Sequence, residues 1–149
     1  MRQAGASDAH DAARLLHDFN TEYDDFTPGV AALTERLREL IGAGEATVLL
    51  GGEGPDGIAV VRFRPALWTP TPEAYLEELY VAPARRGEGL GRALLNAVLE
   101  LSHDAGAKDI LLGTSVDDTA ARALYESAGF TNREGGPEGP VMLFYERSL

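Results

Sequence analysis

The apolar positions of the chain change period several times, and each change marks an element. Ala12, Leu15, Leu16 and Phe19 follow helical i, i+3, i+4, i+7 spacing behind Ser7 and Asp8, two residues able to cap a helix. Val30, Leu33, Leu37, Leu40 and Ile41 repeat that pattern in a second helix, opened by Thr27 and Pro28 and ended by Gly42 and Gly44. From Ala46 the period becomes that of strands. Thr47 to Leu50 and Ile58 to Phe63 are β-rich runs joined by GGEGPDG, which predicts a hairpin. After the break Thr69-Pro70-Thr71-Pro72, the stretch Tyr75 to Val81 reads as another strand, ending at Pro83. Leu90 to Ala105 is an amphipathic helix closed by Gly106, Asp109 to Ser115 a strand, Thr119 to Ala128 a helix closed by Gly129, and Val141 to Tyr145 a final strand. A short strand at Arg2 to Ala4 precedes them all. The order predicts an α/β fold: a mixed sheet with crossover helices in its second half.

The 149 residues contain no repeat, no low-complexity tract and no sign of a second domain, so one domain over 1–149 is expected. A chain of this size buries roughly two thirds of its unfolded surface without metals or disulfides. It has no cysteine, which removes disulfide scaffolds, thiolate metal sites and cysteine nucleophiles. Acidic residues interrupt the N-terminal stretch where a signal peptide needs an apolar run, and no segment approaches membrane-spanning length, so a cytoplasmic protein without membrane partners is expected. The net charge of −11 argues against a partner bound by phosphate neutralisation, such as nucleic acid, and favours a cationic small substrate. His10, His17 and His103 lie on predicted helices with no ligand partner at metal spacing, so no metal is expected.

Against this acidic background Arg85, Arg86 and Arg92 fall within eight positions, with Glu88 among them. Gly87, Gly89 and Gly91 recur at alternate positions just where the strand pattern gives way to the helix pattern. Glycine lets backbone turn tightly and approach a ligand, and the first amides of a helix lack internal partners. With the helix dipole and the guanidinium groups of Arg86 and Arg92, such a turn can hold a phosphate. It matches neither the phosphate loop ending in Gly-Lys-Ser/Thr nor the dinucleotide fingerprint, whose glycines are more widely spaced. Taken alone, the turn fits a phosphate site and mere close packing equally, and the charge cluster fits a solvated patch.

The downstream sequence separates these readings. Tyr75 to Phe130, from YLEELYVAPARRGEGLGRALL to DDTAARALYESAGF, resembles the core of the GNAT superfamily of acetyl-coenzyme A-dependent N-acetyltransferases. Arg86-Gly87-Glu88-Gly89-Leu90-Gly91 is similar to its signature of arginine or glutamine, two residues, glycine, one residue, then glycine or alanine. ALYESAGF falls where the family carries its LYEKLGF-like segment. The resemblance implies a mixed, mostly antiparallel sheet of about six to seven strands flanked by about four helices. It also implies acetyl-coenzyme A as cosubstrate and leaves a homodimer as one option for assembly.

Carried onto this chain, the resemblance implies that the turn Arg86, Gly87, Glu88, Gly89, Leu90, Gly91 and Arg92 holds the coenzyme's pyrophosphate. It places Leu79, Tyr80 and Val81 against pantetheine, with a backbone amide polarising the thioester carbonyl. Tyr125 becomes the general acid for the departing thiolate; by spacing alone it reads as a helix tyrosine packed on the sheet. Asp118 and Ala121 fall at the coenzyme side of the distal helix. Asp118 stands where the family often has asparagine, so its carboxylate is expected to cap the helix as its larger role. Within the family, YLEELYV most resembles the diamine acetyltransferases, which makes Glu77 the favoured base, directly or through water. Strand alternation sends Glu77 and its neighbour Glu78 to opposite faces, which excludes a close carboxylate pair.

The acceptor is expected at HDFNTEYDDFTPG, where Phe19, Tyr23 and Phe26 interleave with Glu22, Asp24 and Asp25. Charge attraction and cation–π contact there suit a polyamine, an aminoglycoside-like sugar or a peptide amine; a capped loop whose aromatics belong to the core fits as well. The expected reaction is direct attack by a primary amine in a ternary complex. The alternatives are a coenzyme-binding module without turnover and a purely structural domain.

Overall fold

The computed structural model of the protein describes residues 1–149, which fall into two compact units, Met1–Leu112 and Gly113–Leu149. The first unit contains β1 (Arg2–Gln3), α1 (Ala9–Glu22), α2 (Val30–Gly42), β2 (Thr47–Gly51), β3 (Gly57–Pro65), β4 (Pro72–Val81), α3 (Leu90–Asp104) and β5 (Ile110–Leu112). Its sheet runs in sequence order, β1-β2-β3-β4-β5, antiparallel except for the parallel β4–β5 pair reached through α3. The second unit contains α4 (Thr119–Ser127). No helix is long and apolar enough to cross a membrane.

The sheet is covered on two faces. Ala9, Ala12, Ala13 and Leu15 of α1 and Leu37 and Leu40 of α2 join Val48, Leu50, Ile58, Val60 and Tyr80 in one cluster. Leu94, Leu95 and Val98 of α3 are fully buried, and Leu90 and Leu94 lie against Gly57. That packing explains the glycine at the start of β3. A Cβ there would come 2.8 Å from Leu94 Cδ1 and 3.3 Å from both Leu90 Cδ2 and the Tyr80 carbonyl oxygen. Gly57→Ala is therefore expected to cost about 1–3 kcal/mol by overpacking, read as a lower urea midpoint.

Three expectations are corrected. The sheet has five strands, not six or seven, because Val141 to Tyr145 forms no strand; only the isolated antiparallel bridge Arg133–Val141 is made there. An apolar, β-prone run becomes a strand only where a partner completes its ladder. Asp8 does not cap α1 with its side chain: its carboxylate accepts from the Gly5 amide at 2.8 Å and pairs with Arg2, and a 3-10 turn, Ala6–Asp8, leads into the helix. Helix α2 begins at Val30 rather than Thr27, with Gly29 at φ 90° as its cap. Thr27 Oγ1 instead accepts from the Gly29 amide and bonds His17 Nδ1 at 3.0 Å, which ties the α1–α2 loop back to α1.

Candidate active site

Two features of β4 and the turn behind it could hold an elongated, phosphate-bearing ligand. Strand β5 pairs with β4 only from Ala74 to Leu76. From Glu77 to Val81, β4 has β3 on one side and no strand on the other, leaving main-chain groups available for pairing, except the Val81 carbonyl, which accepts from Arg86. Beyond Val81 the chain makes a 3-10 turn, Pro83–Arg85, and enters the glycine-rich loop. Gly87 has φ 79° and Gly89, the cap of α3, has φ 84°, conformations that side-chain-bearing residues rarely adopt. Nothing lies within 4 Å of a Cβ built at either. The Arg86 amide is used by the Pro83 carbonyl, whereas the amides from Gly87 to Gly91 have no well-aligned backbone acceptor. The first turn of α3 thus offers a cluster of donors at the positive end of a 15-residue helix.

Arg85 and Arg86 both engage carboxylates of this chain. Arg85 is shared between Asp56 at 2.6 Å and Glu88 at 2.8 Å. Arg86 donates through Nε to the Val81 carbonyl at 3.0 Å and through both terminal nitrogens to the two carboxylate oxygens of Glu22, each at 2.7 Å. Its guanidinium also lies over the Tyr80 ring, 5.6 Å from the centroid. Sequence reasoning placed Glu22 among the acids of the loop but gave it no partner. Nothing in a linear sequence joins residues 64 positions apart.

The loop that follows α1 is tied to Tyr80 of β4 through aromatic contacts. Phe19 stacks on Tyr80 with centroids 5.0 Å apart, and Tyr23 meets Phe19 edge-on at 5.4 Å. Phe19 thereby belongs to the core, while Tyr23 is half-exposed and Phe26 is 82% exposed. Asp24 takes φ 56°, and the Asp25 amide donates to the Asn20 carbonyl at 2.8 Å, folding the loop over the end of α1.

Glu77 and Glu78 differ sharply. The β3–β4 register shifts between Val60 and Val61: Val60 faces Glu78 and Val61 faces Leu76, so Glu77 is an extra residue in a β-bulge. The alternation expected to keep the two carboxylates apart is interrupted there. Glu77 is taken up by Arg62 Nε at 2.5 Å. Glu78 has no ion pair. Burial chiefly, then the charges of Glu77 and Asp25, push its carboxyl from an ordinary 4.5 to about 7. Burial and the Glu22 carboxylate raise the Tyr80 hydroxyl to about 12, keeping it a donor, and the Arg86 and Tyr80 hydrogen bonds hold Glu22 below its usual range.

In the second unit, the Asp118 carboxylate caps α4 by accepting from the Ala121 amide at 3.0 Å, as its position in the sequence suggested. Tyr125, on the same helix, is partly buried against Phe130, with ring centroids 5.9 Å apart.

The profile of the Acetyltransferase (GNAT) family matches residues 10–130. Among characterised proteins, the aminoglycoside N(6')-acetyltransferase type 1 of Stenotrophomonas maltophilia is 34% identical over 137 residues, covering 90% of this chain and 87% of its own. The thialysine N-epsilon-acetyltransferase of Bos taurus is 29% identical over 151 residues, covering 91% and 87%. A crystal structure of a proposed acetyltransferase from Arthrobacter sp. FB24 superposes with a TM-score of 0.91 at 47% identity, over 99% of this chain and 94% of that one. A family match over most of the chain, joined to a β4 edge left open beyond Leu76 and a glycine turn with free amides, leads to one conclusion: this chain belongs to the GNAT family of acetyltransferases.

Proposed function

We propose that the protein transfers an acetyl group from acetyl-coenzyme A to the primary amine of a small cationic molecule or peptide, by direct attack in a ternary complex. The observation that carries this reading is Glu78, a half-buried carboxyl without an ion pair, on the strand whose edge is open and raised to about 7. A base poised near neutrality can accept a proton from an ammonium acceptor, as attack requires. Glu77, already paired with Arg62, is the poorer candidate, although the family resemblance favoured it.

The residues fit the coenzyme. The amides of Gly87, Glu88, Gly89, Leu90 and Gly91, with Arg92 beside them, match a pyrophosphate, and the β4 main chain at Leu79, Tyr80 and Val81 matches the amides of pantetheine. The bound coenzyme supplies an activated acetyl thioester. A β4 amide would donate to the thioester carbonyl oxygen and Glu78 would take the amine's proton; Tyr125 has the role of protonating the departing sulfur from the family resemblance alone. Asp24 and Asp25, with Tyr23, supply negative charge and an aromatic face for the acceptor. The two relatives named for acetylating nitrogens of an aminoglycoside and of thialysine support an amine acceptor.

An assay of free thiol release over a panel of amines tests the reading, and a ping-pong pattern would remove direct attack. Tyr125→Phe is expected to lower kcat by about 10²-fold at unchanged acetyl-coenzyme A KM, as loss of a general acid does. The second reading, a coenzyme-binding module without turnover, draws on Asp118, whose carboxylate is committed to the α4 cap where the family often uses an amide. Coenzyme binding with no acetylated product across the panel would favour it.

A further inference from the structure

Arg86 and Glu22 form a connection that the acetyl-transfer reading does not use. Glu22 is the last residue of α1, where the helix dipole is negative and a carboxylate is unfavourable by about 0.3–1 kcal/mol. It is nevertheless the most heavily bonded acid of the structure. Both its oxygens accept from Arg86, and Oε2 also accepts from the Tyr80 hydroxyl at 3.1 Å. Arg86 in turn has every nitrogen of its fork occupied, two on Glu22 and Nε on the carbonyl of Val81, the last residue of β4. Its planar head lies over Tyr80, whose other contact, Phe19, sits one helical turn before Glu22. The result is a cross-brace from the end of β4 to the end of α1. The residue after Glu22 begins the loop that carries Tyr23, Asp24, Asp25 and Phe26.

We propose that Glu22 is a positioning residue: clamped by Arg86 and Tyr80, it anchors the acceptor-side loop 23–29 to the end of β4, and the Arg86 side chain serves this brace rather than the coenzyme's pyrophosphate. The inference rests on the acetyltransferase reading only for the loop's role toward the acceptor; the brace itself is a matter of the fold. A bidentate arginine–carboxylate pair fixes orientation as well as distance, which a single long-side-chain contact does not. Its consequence is a division of labour within one motif. The glycine-turn amides face the coenzyme, and the arginine just before them reaches back to set the acceptor loop.

The test uses Glu22→Gln, Arg86→Gln and the double variant of the full chain. Hydrogen exchange at the Asp25 amide, which is bonded to the Asn20 carbonyl, reports loop anchoring, and calorimetry with coenzyme A reports the pyrophosphate site. Both single variants are expected to speed Asp25 exchange about three- to tenfold, with the double variant no faster than either, because each removes the same partly exposed pair. Coenzyme A affinity should stay within about twofold, since no pyrophosphate contact is lost. With the amine identified by the panel, acceptor KM should rise severalfold while acetyl-coenzyme A KM is unchanged. If Arg86 were a pyrophosphate ligand, Arg86→Gln would weaken coenzyme A by about tenfold or more and Glu22→Gln, by freeing the arginine, would tighten it; that pattern overturns the proposal. Unchanged Asp25 exchange in both variants overturns it equally. Should Arg86→Gln fold poorly, Tyr80→Phe removes only the hydroxyl donor and is expected to give a smaller increase in the same exchange. Failure of the unaltered protein to bind coenzyme A would count against the acetyltransferase reading and would leave the exchange comparison to decide the brace.

Discussion

Replacing Glu78 by glutamine is expected to lower kcat/KM for the amine by about 10²- to 10⁴-fold, the usual contribution of a positioned general base. Acetyl-coenzyme A binding should change little, because the amides of the glycine turn are untouched. The pH profile carries the sharper signature. A base must be deprotonated to act, and burial with the neighbouring charges of Glu77 and Asp25 holds Glu78 at about 7, so activity of the native protein should rise through a limb near that pH. The limb should vanish in Glu78→Gln and persist in Glu77→Gln, whose carboxylate is engaged by Arg62. A profile unchanged in Glu78→Gln but altered in Glu77→Gln would reverse the assignment.

The same residue makes a claim about stability that needs no substrate. The carboxyl of Glu78 is raised in the folded state from an ordinary 4.5 to about 7, so the native protein holds this proton more tightly than the unfolded chain does. Its contribution to stability is complete below pH 4.5 and is lost as the pH rises to about 7. Glutamine does not titrate. Urea midpoints should therefore move in favour of Glu78→Gln on going from pH 4 to pH 8, and a constant difference between variant and native protein would contradict the burial of this carboxyl.

The largest expected effect on folding belongs to Leu94→Ala. Leu94 is fully buried on α3, in contact with the region of Gly57 on β3, and α3 is the helix that the glycine-rich turn opens. Removing three carbons from a close-packed site leaves a cavity that the tight β3 glycine cannot fill, at a cost of about 2–5 kcal/mol. Denaturation by urea measures it directly. A loss below about 1 kcal/mol would mean that α3 relaxes onto the sheet. Such relaxation should then appear as weaker coenzyme A binding, since the turn moves with the helix.

What was legible in the sequence follows from how far apart the interacting residues lie. The start of α1 and both ends of α2, α3 and α4 were readable within one to three residues, because apolar periods, caps and closing glycines act over a few positions. The same holds for the glycine turn. Its glycines implied a tight turn with unpaired amides at a helix start, and the amides of Gly87 and Gly89 have no backbone acceptor. The Asp118 cap was readable too, since its partner Ala121 lies three positions away.

Apart from the Asp8 cap and the start of α2, which turned on local alternatives, the missed features depend on partners distant in sequence. Val141 to Tyr145 has the composition of a strand, yet strand formation is settled by a neighbour rather than by composition. Strict alternation separated Glu77 from Glu78; only the register against β3 reveals the bulge that makes Glu77 an extra residue and leaves Glu78 without an ion pair. The pairing of Arg86 with Glu22 was not readable either, because the fold brings the two together across 64 residues. By itself the sequence determined the helices, the family resemblance and the glycine turn at the start of α3, because these are carried by motifs and spacings of a few positions. Which carboxylate is buried, which is paired and where an arginine points were decided by the tertiary structure, because charge and burial depend on what surrounds a group in space.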